Sequence, residues 1–75
     1  MKLTINGTQK EIFFGEKKAN IIQFLEILKI KKDVVIELNE EIVKAKDFET
    51  TILNENDVLE ILYFMGGGWE KTNKK

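Results

Sequence analysis

A chain of 75 residues with no cysteine has no covalent staple, so a core patterned along nearly its whole length must hold it folded. A domain of this size buries only about 60% of the surface its unfolded chain exposes, which leaves one core and no division into two. The missing cysteine, together with the absence of histidine, removes disulfides, thiol catalysis, thiolate metal sites and the commonest general base. An active site of its own is therefore not expected. Acidic and basic residues nearly cancel at a net charge of -1, and lysines do not interleave with aromatics across the body of the chain, so nucleic acid is not an expected partner. No apolar run reaches the roughly 18 residues of a membrane span, and the N-terminus lacks the zones of a signal peptide. The expectation is a protein of the cytoplasm with no membrane association.

The pattern along the chain predicts its elements. Leu3 and Ile5 alternate with Lys2, Thr4 and Asn6, as a half-buried strand requires. Asn6-Gly7 is a tight hairpin turn, and Lys10 to Phe14 a second strand. After Gly15, Asn20 stands as a helix N-cap with Gln23 as its capping-box partner. A helix follows from about Ile21 to Lys29, its stripe of Ile21, Phe24, Leu25 and Leu28 facing the sheet and Ile22 and Ile27 flanking it. Val34 to Leu38 is a third strand, Asn39-Glu40 a turn, Glu41 to Lys44 a fourth strand and Asp47 to Glu49 a single helical turn. The polar turn Asn54 to Asp57 leads to a last strand, Val58 to Met65. Hairpin, helix and three more strands make an α+β roll: a mixed sheet crossed by one helix.

Two segments carry a family resemblance. Val34 to Val43, read as Val-Val-Ile-Glu-Leu-Asn-Glu-Glu-Ile-Val, resembles the strand-turn-strand of the ThiS family of sulfur carriers. Leu53 to Gly68, an Asp-led apolar strand running into Gly66-Gly67-Gly68, resembles that family's closing pattern. The resemblance covers Met1 to Gly68 and implies a β-grasp, ubiquitin-like fold with the last strand between the first and third. It also implies that Leu59 and Ile61 point under the helix. Glu60, Leu62 and Phe64 would lie on the open face, with Glu37 beside them and Tyr63 as a rim residue. The chain then divides into a domain at 1-65, a glycine arm at 66-68 and a flexible tail at 69-75.

The same resemblance implies the chemistry. A peptide carboxylate is a poor electrophile, and adenylation gives it a good leaving group. Gly68 would carry the adenylate and then the sulfur as a thiocarboxylate, while Gly66 and Gly67, free of Cβ, would thread a partner's cleft. The glycines lack the Gly-Lys-Ser/Thr of a phosphate-binding loop, so the chain is expected to hold no cofactor and ATP to sit on the partner. The implied partners are a ThiF-type adenylyltransferase, a persulfide sulfur donor and a ThiG-type thiazole synthase, with Leu62, Phe64, Met65, Gly66 and Gly67 as the binding residues. Three readings compete with it: a carrier for molybdopterin, whose closing segment usually carries prolines that this chain lacks, a carrier for another pathway, and a non-conjugating ubiquitin-like adaptor. The carboxylate pairs Asp47/Glu49 and Glu40/Glu41 are expected to be solvated surface charge. Trp69 to Lys75 extends past the family's usual end, and a protease that cuts after the glycines joins the expected partners.

Overall fold

The computed structural model describes residues 1–63. The glycine arm, the tail, and Phe64 and Met65 at the end of the expected last strand lie outside the described residues. So do the domain boundaries drawn at 65 and 68.

The elements run β1 (Lys2–Ile5), β2 (Thr8–Glu11), α1 (Ile21–Leu28), β3 (Val35–Leu38), β4 (Glu41–Val43), a 3-10 turn (Ala45–Asp47) and β5 (Val58–Leu62). The sheet order is β2-β1-β5-β3-β4. β5 lies parallel to β1 and antiparallel to β3, so the last strand is central, as expected. The core forms where the sheet alternation meets the helix stripe. Leu3, Phe24, Leu25, Ile36 and Leu59 are fully enclosed, with Ile5 and Ile61 nearly so. Leu28 is only half-buried and packs against the core from its margin, because it lies in the last turn of α1 where the helix runs out from over the sheet. Ile12, Phe48 and Leu53, which alternation alone did not single out, complete the core.

The helix begins as its cap predicts and differs in one detail. Gln23 N–H donates to Asn20 Oδ1 at 2.8 Å, but the reciprocal bond of a capping box is missing, and Gln23 Oε1 is buried without a partner. Asn20 is instead tied outward: its Nδ2 donates to the Glu49 carbonyl at 3.0 Å. Ile21 N–H reaches the Phe48 carbonyl and Leu53 N–H the Ala19 carbonyl. The long β4–β5 connection is thereby fastened to the start of α1, which is how Phe48 and Leu53 reach the core. At the other end Lys29 adopts φ 60, with Lys29 N–H bonded to the Glu26 carbonyl and Ile30 N–H to the Leu25 carbonyl. These are the two bonds of a Schellman cap.

Helix α1, β3 and β4 each differ from expectation by one residue at one end, and β5 ends at Leu62, before the Tyr63 that the expected strand included; two elements move further. β2 occupies Thr8–Glu11 rather than Lys10 to Phe14, because the two-residue turn sets Ile5 opposite Thr8 and Lys2 opposite Glu11. The helical turn sits at Ala45–Asp47, two residues early, since Phe48 must point inward to be buried.

Both hairpins turn the same way. Asn6 and Gly7 have φ 49 and 84, and Asn39 and Glu40 have φ 51 and 74, positive at both central positions as a type I′ turn requires. Glycine takes the second position freely. Glu40 is held there against the clash of its Cβ, a cost of roughly 1–2 kcal/mol for an ordinary residue. Glu40→Gly should therefore raise the unfolding free energy by about 1 kcal/mol once glycine's greater unfolded-state entropy is subtracted. Urea denaturation would show it as a higher midpoint with an unchanged slope.

Candidate functional site

The functional surface is governed by β5, whose C-terminal end delivers the chain toward the glycines. Its neighbours end before it does. After Ile5, β1 turns away into its hairpin, and the N–H of Ile61 loses the main-chain partner that a longer β1 would have provided. Asn6 Oδ1 accepts that N–H at 2.7 Å, while Asn6 N–H donates to the Leu59 carbonyl at 2.9 Å. At the other end β3 turns away at Asn39. There Asn39 Oδ1 accepts from Val58 N–H at 2.9 Å, Asn39 N–H donates to the Val58 carbonyl at 2.7 Å, and Asn39 Nδ2 donates to Asp57 Oδ1 at 3.1 Å. Asp57 Oδ2 in turn accepts from Asn54 N–H at 2.8 Å. Each turn asparagine extends the ladder by one bond past the point where its own strand stops. The sequence marks both only as turn residues. An asparagine opening each of two turns that flank one strand was the available signal.

β5 alternates cleanly. Leu59 and Ile61 are buried under α1, while Val58, Glu60 and Leu62 are exposed on the opposite face. Leu62 is 49% exposed. Its direct cross-strand partner is Val35, and Glu60 faces Glu37, which in turn faces Ile42 on β4. Glu37 is thus diagonal to Leu62 rather than beside it, because the register places Val35 there. The open face reads as rows: apolar Val35 and Leu62 at the exit end, then Ile42, Glu37 and Glu60, then Val58 with Thr4. Tyr63 follows at the exit, 55% exposed. Among the described residues the only ion pair is between the Met1 ammonium and Glu11. The hydrogen bond from that ammonium holds the Glu11 carboxyl below its ordinary pKa against an opposing desolvation, with lesser help from the charges of the ammonium and of Lys2. It lies on β2, away from the acidic row.

On the helix side of the exit is an open concavity of about 360 Å³, walled by Leu28, Ile30 and Ile61, with Lys10, Asn6 and Tyr63 around it. The carboxylates Glu40, Glu41, Asp47 and Glu49 are all exposed. No group of three or more acidic, histidine or cysteine side chains among the described residues could hold a metal ion. No helix among them is long and apolar enough to cross a membrane. Of the expected site residues the structure places Leu62. Phe64, Met65, Gly66, Gly67 and Gly68 lie outside the described residues.

A five-stranded mixed sheet with its last strand central, packed on one face against a single helix, is the β-grasp of ubiquitin-like proteins. The chain belongs to the ThiS family, whose model matches residues 3–68. It is similar to the crystal structure of the thiamine biosynthesis protein (ThiS) from Geobacter metallireducens: 37% identity over 91% of this chain and 100% of that one, with a TM-score of 0.74. The solution structure of a thiamine biosynthesis protein from the same organism gives the same identity and TM-score, over 91% of this chain and 88% of that one. No curated protein matches the chain.

The Asn6 bond to β5 predicts a local effect. Asn6→Ala leaves the Ile61 N–H, in a part-buried position, without its acceptor, and should cost about 1–3 kcal/mol. Hydrogen exchange at the Ile61 amide should accelerate more than at Leu3 or Ile36, whereas Asn6→Asp, which keeps the oxygen, should restore most of the protection.

Proposed function

We propose that this chain is a sulfur carrier for the thiazole of thiamin, and that its reactive group is the carboxyl of Gly68. The observation that carries this reading is the extent of the family match, which runs through the whole domain and ends on Gly68. The domain supports it by aiming a central, doubly anchored strand at the glycines. In this reading a ThiF-type adenylyltransferase binds ATP and joins AMP to the Gly68 carboxylate, releasing pyrophosphate. A persulfide then attacks the acyl carbon and AMP leaves. Reduction of the resulting acyl disulfide by a thiol yields the thiocarboxylate, which a ThiG-type thiazole synthase accepts. ATP sits on the partner, and the carrier supplies the carboxyl and a docking face.

That face is the open side of the sheet, with Leu62 at its exit end; Phe64, Met65, Gly66 and Gly67, which follow in the sequence, are the other residues of the proposed contact. An exposed aliphatic side chain beside the reactive arm contributes to partner contact more than to folding. In a chain ending at Gly68, Leu62→Ser should weaken binding to the adenylyltransferase by more than about 1 kcal/mol and move the thermal midpoint only slightly. Calorimetric titration and melting of the same samples read both. Loss of the fold with affinity intact would place Leu62 in the wrong role.

In the chain as written, Gly68 is followed by Trp69 to Lys75, so its carbonyl is an amide with no free oxygen to attack ATP. A chain ending at Gly68, given ATP, adenylyltransferase and sulfur donor, should gain the mass of one sulfur in place of one oxygen. The full chain should not, unless a protease that cuts after Gly68 is added. Sulfur acquired by the full chain with its tail still attached would put the reactive group elsewhere, and a truncated chain that never gains it would favour a non-conjugating adaptor.

A further inference from the structure

The two hairpin turns of the sheet offer a comparison within one molecule. Asn6 and Asn39 both open a turn with positive φ, and each offers its Oδ1 to a main-chain N–H of β5. They differ in what surrounds the side-chain amide. Asn39 is followed by Glu40, a residue whose side chain shields its own peptide nitrogen, and Asn39 Nδ2 is held by Asp57 Oδ1 at 3.1 Å. Asn6 is followed by Gly7, with nothing within 4 Å of the place where a Cβ would stand. Among the described residues neither the Gly7 N–H nor Asn6 Nδ2 has an acceptor. Asn6 is exposed and borders the open concavity, so water and base can reach it. Of the asparagines in the chain, Asn6 alone precedes a glycine.

We propose that Asn6 is a site of spontaneous deamidation in the folded protein, and that its bond to the Ile61 N–H sets the rate. The peptide nitrogen of Gly7, its proton taken by solvent base, attacks Asn6 Cγ. The Cγ–Nδ2 bond breaks and ammonia leaves, closing a cyclic imide between the two residues. Water then adds to either imide carbonyl. Attack at Cγ gives aspartate at position 6, and attack at the main-chain carbonyl gives isoaspartate, whose main chain runs through Cβ and Cγ. One water enters and one ammonia departs, with no change of oxidation state. Ring closure swings the Gly7 nitrogen toward Asn6 Cβ, away from the ψ of a left-handed turn residue. Asn6 is tethered against that rotation twice, by Oδ1 accepting the Ile61 N–H at 2.7 Å and by its own N–H donating to the Leu59 carbonyl at 2.9 Å. The reaction therefore waits for this end of the β1–β5 pairing to open. Its two products differ in effect. Aspartate keeps an oxygen for the Ile61 N–H. Isoaspartate adds a carbon to the main chain, which a two-residue turn cannot absorb in register, and leaves its carboxylate directly on Cα, too short to reach Ile61. The end of β5 that leads into Leu62 is then loosened. The reaction stands apart from the carrier reading, and only its bearing on delivery of the glycines rests on that reading.

The full chain, kept in mildly alkaline buffer with and without urea, is followed by peptide mapping, with an isoaspartyl methyltransferase as the probe for isoaspartate. In the native chain Asn6 should convert before any other described asparagine, OH replacing NH2, while Asn39 persists. The native rate should fall below the urea rate by the factor that protects the Ile61 amide from hydrogen exchange, because one local opening admits both events. Gly7→Asn keeps a residue tolerant of positive φ and puts its Cβ in open space. It should slow conversion at position 6 several-fold with the thermal midpoint nearly unchanged. The isolated isoaspartate form should exchange the Ile61 amide faster than the unmodified chain, whereas Asn6→Asp should retain most of the protection. Native conversion suppressed as far as global unfolding requires overturns the proposal, since the folded protein would then be unreactive. Conversion that begins at Asn39, Asn54 or Asn56 also overturns it. Conversion faster than the opening at Ile61 allows removes the Ile61 bond from control of the rate and overturns that half.

Discussion

The structure depends on how its central strand is held. β5 has β1 on one side and β3 on the other, and both neighbours turn away while β5 still has backbone groups to satisfy. A buried or half-buried N–H without an acceptor costs as much as several favourable contacts supply. Asn6 solves this at the part-buried Ile61 N–H, and Asn39 caps the exposed Val58 N–H, each side chain acting as one more residue of strand. Each must sit in a left-handed conformation to aim its oxygen back at β5, and asparagine is among the few residues that tolerate that conformation. Turn geometry, ladder completion and the position of β5 are thus one constraint seen from three sides. The Asn39–Asp57–Asn54 bonds add the loop before β5 to the same unit.

This also explains why so much was legible. The segments that carried the family resemblance, Asn39 with its strand pair and the Asp57-led strand, are the residues that hold β5 in place, so the recognisable pattern reports architecture directly. Leu3, Ile5, Leu59 and Ile61 announced their burial by alternation, and Asn20 announced the helix. What stayed hidden depended on contacts between distant segments. Phe48 and Leu53 sit in a polar connection whose local sequence says turn, and they are buried only because Asn20 and its neighbours tie that connection to α1. Gln23 completed the capping pattern on paper, but only half of it forms: Asn20 Oδ1 accepts the Gln23 N–H, and Gln23 Oε1 stays buried without a partner. The pairing of Glu37 with Glu60 was invisible without the register, since sequence distance says nothing about which residues of two strands face each other.

The two faces of the sheet divide the work of a small domain. One face is filled by a single helix and leaves little to spare, as befits a core with no staple. Among the described residues the other carries no helix, and it sets Glu37 against Glu60 with no ion pair to either. A domain selected for stability alone would set opposite charges across β3 and β5 or mix the signs. The acidic pair between aliphatic side chains instead resembles the compromises made where a surface must be met by something else.

The parallel pairing of β1 with β5 joins the first strand of the sheet to the last among the described residues. Contacts between segments this far apart in sequence close late in folding, and here the strand they bring in is the middle of the sheet. A growing chain can form the β1–β2 hairpin and α1 early, but it has no centre to assemble them around until Leu62 has been added. Assembly of the sheet therefore waits for β5. A product terminated early lacks β5 and with it the native sheet, so it is left to proteases as an unfolded chain. Completeness is in this way written into the fold: any molecule that presents a finished sheet has been translated almost to the point where its glycines begin.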